Sequence, residues 1–199
     1  FTREDNAKFS DIDVEDAKWQ SVVVPHDWAI YGPFSSQNDK QNVAILQDGQ
    51  KEALEHAGRT GGLPFVGVGW YRLQFDAPIL SEGKQVELLF DGAMSEPQVF
   101  VNGQKVGEWK YGYNSFVVDI TNFVSDNGKN TLAVRLENMP ESSRWYPGAG
   151  IYRNVHLIVT EKTHIPVWGT CITTPVVSDE YAKVLVRTNV KYAQATQWE

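Results

Sequence analysis

From residue 70 to residue 159 apolar and polar positions alternate in short runs, separated by polar or glycine-containing breaks. Trp-Tyr-Arg-Leu-Gln-Phe at 70–75 is the first run, and its two-residue period is that of a β-strand with one buried face. Residues 85–90, 98–101, 105–109, 116–120, 131–137 and 155–159 repeat the pattern. Asn102 and Gly103 predict a tight hairpin between the third and fourth runs, because both residues accept positive φ. Residues 126–130 read as a polar turn. Many short strands with regular turn signals predict an all-β sandwich or jelly roll.

The flanks read differently. Residues 1–20 are polar and mixed, and residues 19–25 read as a short strand that ends at Pro25. Residues 31–62 show little periodicity and read as a long excursion loop, with a short helical turn at 51–56. Loops of that length are usually functional or mobile. A boundary falls near 161–166, after which 167–173 and 182–192 read as two further strands. Two strands alone do not make a stable domain. The expected organisation is therefore a sandwich domain over 1–162 and an incomplete β domain over 163–199, within a longer polypeptide. The chain opens on Phe1 rather than Met, so the lack of a visible leader carries no information.

Composition narrows the function. Aromatic residues make up 12% of the chain, with seven Trp and eight Tyr. That suits packing on pleated surfaces and also stacking on sugar rings. A formal net charge of -7 argues against a nucleic-acid partner, which needs a basic patch. The single cysteine, Cys171, excludes an internal disulfide. No apolar run approaches the roughly 20 residues that cross a bilayer, so no membrane partner is expected. One Cys and four scattered His give no metal-ligand spacing, and no glycine-rich turn opens a helix, so neither metal nor other cofactor is expected. Glycoside hydrolysis needs two carboxylates about 5–9.5 Å apart. Nothing selects such a pair among the 25 acidic residues, so no catalytic residue is assigned to this chain.

Three constellations remain. Pro25, His26, Asp27 and Trp28 read either as a strand end capped by a polar pair beside a packed Trp, or as a polar and aromatic rim facing a sugar. Gly-Val-Gly-Trp-Tyr-Arg at 67–72 reads as a glycine hinge feeding a strand whose Trp70 enters the core. Ser-Arg-Trp-Tyr-Pro-Gly-Ala-Gly-Ile-Tyr-Arg-Asn at 143–154 lies between two strands. There Arg144 offers several donors to hydroxyls or a carboxylate, and Trp145 or Tyr146 offers a stacking face. The same segment also reads as an ordered surface turn with its Arg stem lying on apolar surface.

Together, in this order, the three segments resemble the N-terminal domain of glycoside hydrolase family 2. Phe90, Asp91 and Gly92, followed by Val99 to Gly103, match a fourth motif of that family. The resemblance covers about 19–162, and 163–199 resembles the start of the family's immunoglobulin-like second domain. It implies a galactose-binding-like jelly-roll β-sandwich beside a (β/α)8 barrel, and that barrel would carry the catalytic carboxylates outside this chain. It also implies retaining hydrolysis of a terminal β-linked sugar, with a β-galactoside the favoured ligand and β-glucuronidase or β-mannosidase the alternatives. Arg144 stands where the family reaches into the barrel's site and where several relatives carry an acidic residue. The substrate-contact candidates are Arg144, Trp145, Asp27 and His26. A homo-oligomer is compatible with the complete enzyme, and a periplasmic or secreted setting is favoured over the cytoplasm. The competing classes are a free-standing carbohydrate-binding module and a structural module that binds protein.

Overall fold

The computed structural model describes residues 1–35, 38, 40–41, 56–57, 65–76, 83–140 and 147–192. Eleven strands and two short 3-10 helices, Ala7–Ser10 and Trp28–Tyr31, make up its regular structure, with no α-helix among the described residues. β1 (Lys40–Gln41) and β2 (His56–Ala57) form a two-residue antiparallel pair. His56 thus belongs to a strand, where the sequence reading placed the end of a helical turn; 51–55 lie outside the described residues.

The body is a two-sheet sandwich, antiparallel throughout. One sheet has the order β3-β8-β5-β6, formed by β3 (Gly67–Asp76), β8 (Lys129–Asn138), β5 (Gln98–Val101) and β6 (Gln104–Glu108). The other has the order β7-β4-β9, formed by β7 (Phe116–Asp119), β4 (Lys84–Phe90) and β9 (Val155–Glu161). Every strand expected between 70 and 159 is present, with ends moved by a few residues. Alternation selects the inner face: Val86, Leu88 and Phe90 of β4 meet Val99 and Val101 of β5 and Leu132, Val134 and Leu136 of β8 in one core. Each such side chain contributes about 1.5–3 kcal/mol by leaving water. Asn102 and Gly103 both have positive φ, 49° and 81°, and join β5 to β6 as the predicted two-residue turn.

Two expectations change. Residues 19–25 form no strand: the backbone of Gln20 pairs only with Phe1, and Val22 packs on the core from an irregular path. Pro25 cannot donate to a ladder, and among the described residues 19–25 join no strand pair. Trp70 is buried, 1% exposed, but not between the sheets. Its neighbour Tyr71 takes the inner face, so the two-residue period sends Trp70 outward. There the N-terminal residues cover it: Thr2 pairs with Trp70 along the β3 edge, Phe9 packs against the indole edge-on, and the indole Nε1 donates to Asp5 at 2.9 Å. Arg72 fastens the same cover, donating to Asp16 and to the carbonyls of Phe9, Asp11 and Ile12. The polar N-terminal stretch is thus a strap that closes a sheet edge otherwise open to pairing.

β10 (Thr170–Val177) and β11 (Ala182–Thr188) make a separate antiparallel hairpin. β10 starts at Thr170 rather than 167, because Trp168 turns the chain with a φ of 58°. The hairpin side chains are exposed on both faces, Ile172 and Val186 among them. Lys191 ties this unit to the sandwich through Glu87 of β4, Nζ to Oε1 at 2.9 Å.

Candidate functional site

The Pro25–Trp28 segment and the 147–151 segment meet at one end of the sandwich. The His26 amide donates to the Ile151 carbonyl at 2.7 Å, and the Trp28 amide donates to that of Ala149 at 3.3 Å. Gly150 on the other side exchanges both backbone hydrogen bonds with Met94, at 2.8 and 2.9 Å. Two of the constellations are therefore one structure, laced by backbone across more than 120 residues of sequence.

Glycine makes the close approach available. Gly150 has φ of 93°, and a Cβ there would overlap the Tyr71 hydroxyl and lie 2.7 Å from the His26 carbonyl oxygen. A Cβ on Gly69 would lie 2.6 Å from the Trp28 ring. Trp28 fills the space so created: it is fully buried, and its Nε1 donates to the Phe65 carbonyl at 3.2 Å. Phe1, His26, Trp28 and Tyr71 form one aromatic cluster, with Phe1 ring centroids 4.9 Å from both His26 and Tyr71.

Asp27 caps the helix over Trp28–Tyr31, accepting the Ala29 amide on Oδ1 at 3.0 Å. Its Oδ2 points toward Gly148, 3.7 Å from where a Cβ on that glycine would sit. Asp27 thus caps a helix start rather than the strand end that the sequence suggested, and it is half-buried beside Gly148. His26 has a different position. Only 8% of it is exposed, and Nδ1 lies 2.7 Å from the Tyr71 hydroxyl. Burial holds its imidazole below the usual pKa, only partly offset by the negative charge of Asp27. Burial raises the Tyr71 phenol well above its usual range, against the lowering effect of its hydrogen bond with Ile151. Burial thus disfavours the charged form of both groups, and their contact ties the 25–28 segment to β3.

Arg144 and Trp145 lie outside the described residues. The two ends of their segment are held together, since buried Asn138 donates from Nδ2 to the Gly148 carbonyl at 3.1 Å. Sequence reasoning did not identify Asn138, Gly148 or Tyr71 as parts of the site. Tyr71 was legible in principle, as the inward position of a strand whose neighbour Trp70 faces out. The ties of Asn138 and Gly148 depend on where the chain returns.

The sandwich also has an apolar cleft of about 250 Å³ between the β3 and β9 edges, lined by Val22, Leu73, Phe75, Leu157 and their neighbours. Its side chains are almost all aliphatic or aromatic, so it offers little to sugar hydroxyls. Among the described residues no cluster of three or more His, Cys, Asp or Glu is placed to hold a metal, and no helix is long and apolar enough to cross a membrane.

The described residues thus form an all-β antiparallel sandwich whose 149–151 segment is laced to a Pro-His-Asp-Trp segment. The chain belongs to glycosyl hydrolases family 2, as a member of its sugar binding domain, whose family profile matches residues 7–161. A β-galactosidase of Bacteroides ovatus is 38% identical over 176 residues, which cover 88% of this chain and 19% of that enzyme. A putative β-glucuronidase of Formosa agariphila is 32% identical over 194 residues, 97% of this chain and 17% of the relative. The chain thus spans about a fifth of the length of these relatives. A solved family 2 member from Bacteroides cellulosilyticus superposes with a TM-score of 0.79 at 32% identity, covering 95% of this chain and 23% of that one. A β-glucuronidase of Bacteroides uniformis superposes with a TM-score of 0.75 at 28% identity, covering 95% and 21%.

Proposed function

We propose that this chain is the non-catalytic N-terminal part of a retaining exo-β-glycosidase, a β-galactosidase, and that it supplies one wall of an active site whose catalytic carboxylates lie on a (β/α)8 barrel elsewhere in the polypeptide. One observation carries the reading. The backbone lacing of 26–28 to 149–151 sets the Asp27 carboxylate beside Gly148, next to the segment that holds Arg144 and Trp145. A carboxylate suits the hydroxyl edges of a pyranose, and the guanidinium and indole that the sequence supplies at 144 and 145 have the chemistry for its hydroxyls and its apolar face. Asp27, Arg144 and Trp145 are the contacts, whereas His26, which the sequence also offered as a contact, is buried against Tyr71. The galactoside assignment follows the β-galactosidase relative at 38% identity; relatives named as β-glucuronidases, one at 36%, support the glucuronide as second reading.

Residues 163–199 begin an immunoglobulin-like domain in this reading. A two-stranded hairpin with apolar residues exposed on both faces needs further strands to cover it. The test is activity on aryl β-galactosides. The complete polypeptide turns them over, and residues 1–199 alone do not. Turnover by residues 1–199 that one acidic substitution within them abolishes would refute the proposal. A free-standing binding module instead predicts sugar affinity for the isolated chain that is lost in Arg144→Ala or Trp145→Ala. Calorimetry with no heat at millimolar sugar dismisses that alternative.

A further inference from the structure

The loop between β6 and β7 carries Trp109, Tyr111 and Tyr113, and all three leave ring surface in water. Tyr111 is 60% exposed and Tyr113 is 40% exposed. Their rings meet edge to face with centroids 5.5 Å apart. Tyr152 lies beneath the loop and donates its hydroxyl to the Gly112 carbonyl at 2.7 Å, and the Arg153 guanidinium sits over the Tyr152 ring, 5.5 Å from its centroid.

The mounting is rigid. A Cβ on Gly112 would overlap the Met94 sulfur, so the loop is seated directly on Met94. Trp109 Nε1 donates to Asn114 at 2.9 Å, and its ring stacks on Phe116, which stacks in turn on the core residue Phe90. Ser115 donates to the Asp91 carbonyl at 3.1 Å. Exposed rings on a fixed mount lose little conformational freedom when something lies against them. Burial raises the Tyr152 phenol pKa, countered by Arg153 and reinforced by Tyr113 and Tyr111, which is consistent with all four groups converging.

Buried residues connect the patch to the candidate site. Met94, on which the loop rests, is the residue that exchanges backbone hydrogen bonds with Gly150, and Gly150 abuts His26. Phenol faces with a guanidinium beside them offer a sugar both a stacking surface and hydrogen-bond donors. From this geometry we infer that Tyr111, Tyr113, Tyr152 and Arg153 form a subsite that stacks a further ring of the glycan, so that the ligand is a β-linked oligosaccharide rather than a lone terminal sugar. The inference rests on the proposed sugar-binding role of the Asp27 rim and adds a second contact area to it.

The test compares ligand length on the complete polypeptide. Hydrolysis-resistant thio-linked trisaccharides, one galactose-terminated and one glucuronate-terminated, are each measured beside the matching methyl β-glycoside. The trisaccharide binds about ten-fold tighter than its methyl glycoside in the parent protein, as expected when one or two ring faces add contact. Tyr111→Ala/Tyr113→Ala abolishes that advantage and leaves the methyl glycoside unchanged, while Tyr111→Phe/Tyr113→Phe retains it. Both tyrosines are surface residues, and an unchanged melting temperature verifies the fold. No length preference in either series, or equal loss on both ligand lengths, overturns the inference. So does a variant that leaves sugar affinity intact and alters only association between domains or subunits, which would assign the patch to a protein contact. Asp27→Ala with unchanged methyl glycoside affinity refutes the Asp27 rim alone, because the length contrast is read independently of it.

Discussion

Gly150→Ala is the most informative single change in this domain. Its cost has two parts. The first is backbone strain: a φ of 93° is open to glycine and unfavourable to alanine by about 1–2 kcal/mol. The second is overlap. The new methyl would collide with the Tyr71 hydroxyl, approach the His26 carbonyl to 2.7 Å and lie 3.1 Å from the Trp28 ring. None of these neighbours is free to retreat, because Trp28 is fully buried and Tyr71 is held by His26. Overpacking of this kind costs typically about 1–3 kcal/mol. The sum, about 2–5 kcal/mol, is a large share of the 5–15 kcal/mol typical of a folded domain. Urea unfolding followed by tryptophan fluorescence reads it as a midpoint lowered by about 1–2.5 M, for a slope of about 2 kcal/mol per molar. Gly128→Ala is the control, since Gly128 has φ of 83° but nothing within 4 Å of an added Cβ. It carries the strain without the overlap. Equal midpoint shifts in the two variants would sink the claim that the two motif segments are jammed together at Gly150.

Two further predictions concern polar groups. Asn130 is fully buried, accepts from Asn102 Nδ2 and the Ser125 amide, each at 2.7 Å, and donates to the Ser125 carbonyl at 3.0 Å. Asn130→Ala removes three hydrogen bonds beneath the β7–β8 turn, leaving Asn102 Nδ2 only its bond to the Phe123 carbonyl, and lowers unfolding free energy by about 2–3 kcal/mol, read from denaturant titration. His26 gives a pH dependence. The unfolded chain takes up a proton on this residue near its ordinary value of 6.5, whereas the folded chain does so only at lower pH, because burial disfavours the imidazolium. The folded state therefore loses stability as pH falls through about 6.5 toward the folded pKa, and this contribution is fully present well above 6.5. His26→Asn flattens that part of the stability profile between pH 7 and 5; an unchanged slope assigns the dependence to other groups.

The sequence by itself settled the seven strands between 70 and 159 and the face that β4 buries. Alternation is a local property, and a strand with one wet face writes it into neighbouring positions, as in Val86, Leu88 and Phe90. The turn at Asn102 and Gly103 was equally local, since positive φ at two successive residues selects the residue types directly. The four ordered motifs were enough to indicate the family. What tertiary structure decided was where nonlocal partners go. Period two says that Trp70 and Tyr71 face opposite ways, and only the path of residues 1–16 shows that the outward face is also covered. Residues 19–25 carry strand-like composition but join no ladder among the described residues, and a strand is defined by its partner. The lacing of His26 to Ile151 and the approach of Asp27 to Gly148 join positions more than 120 residues apart. No local pattern encodes such a contact, because the glycines that permit it show that something comes close without saying what.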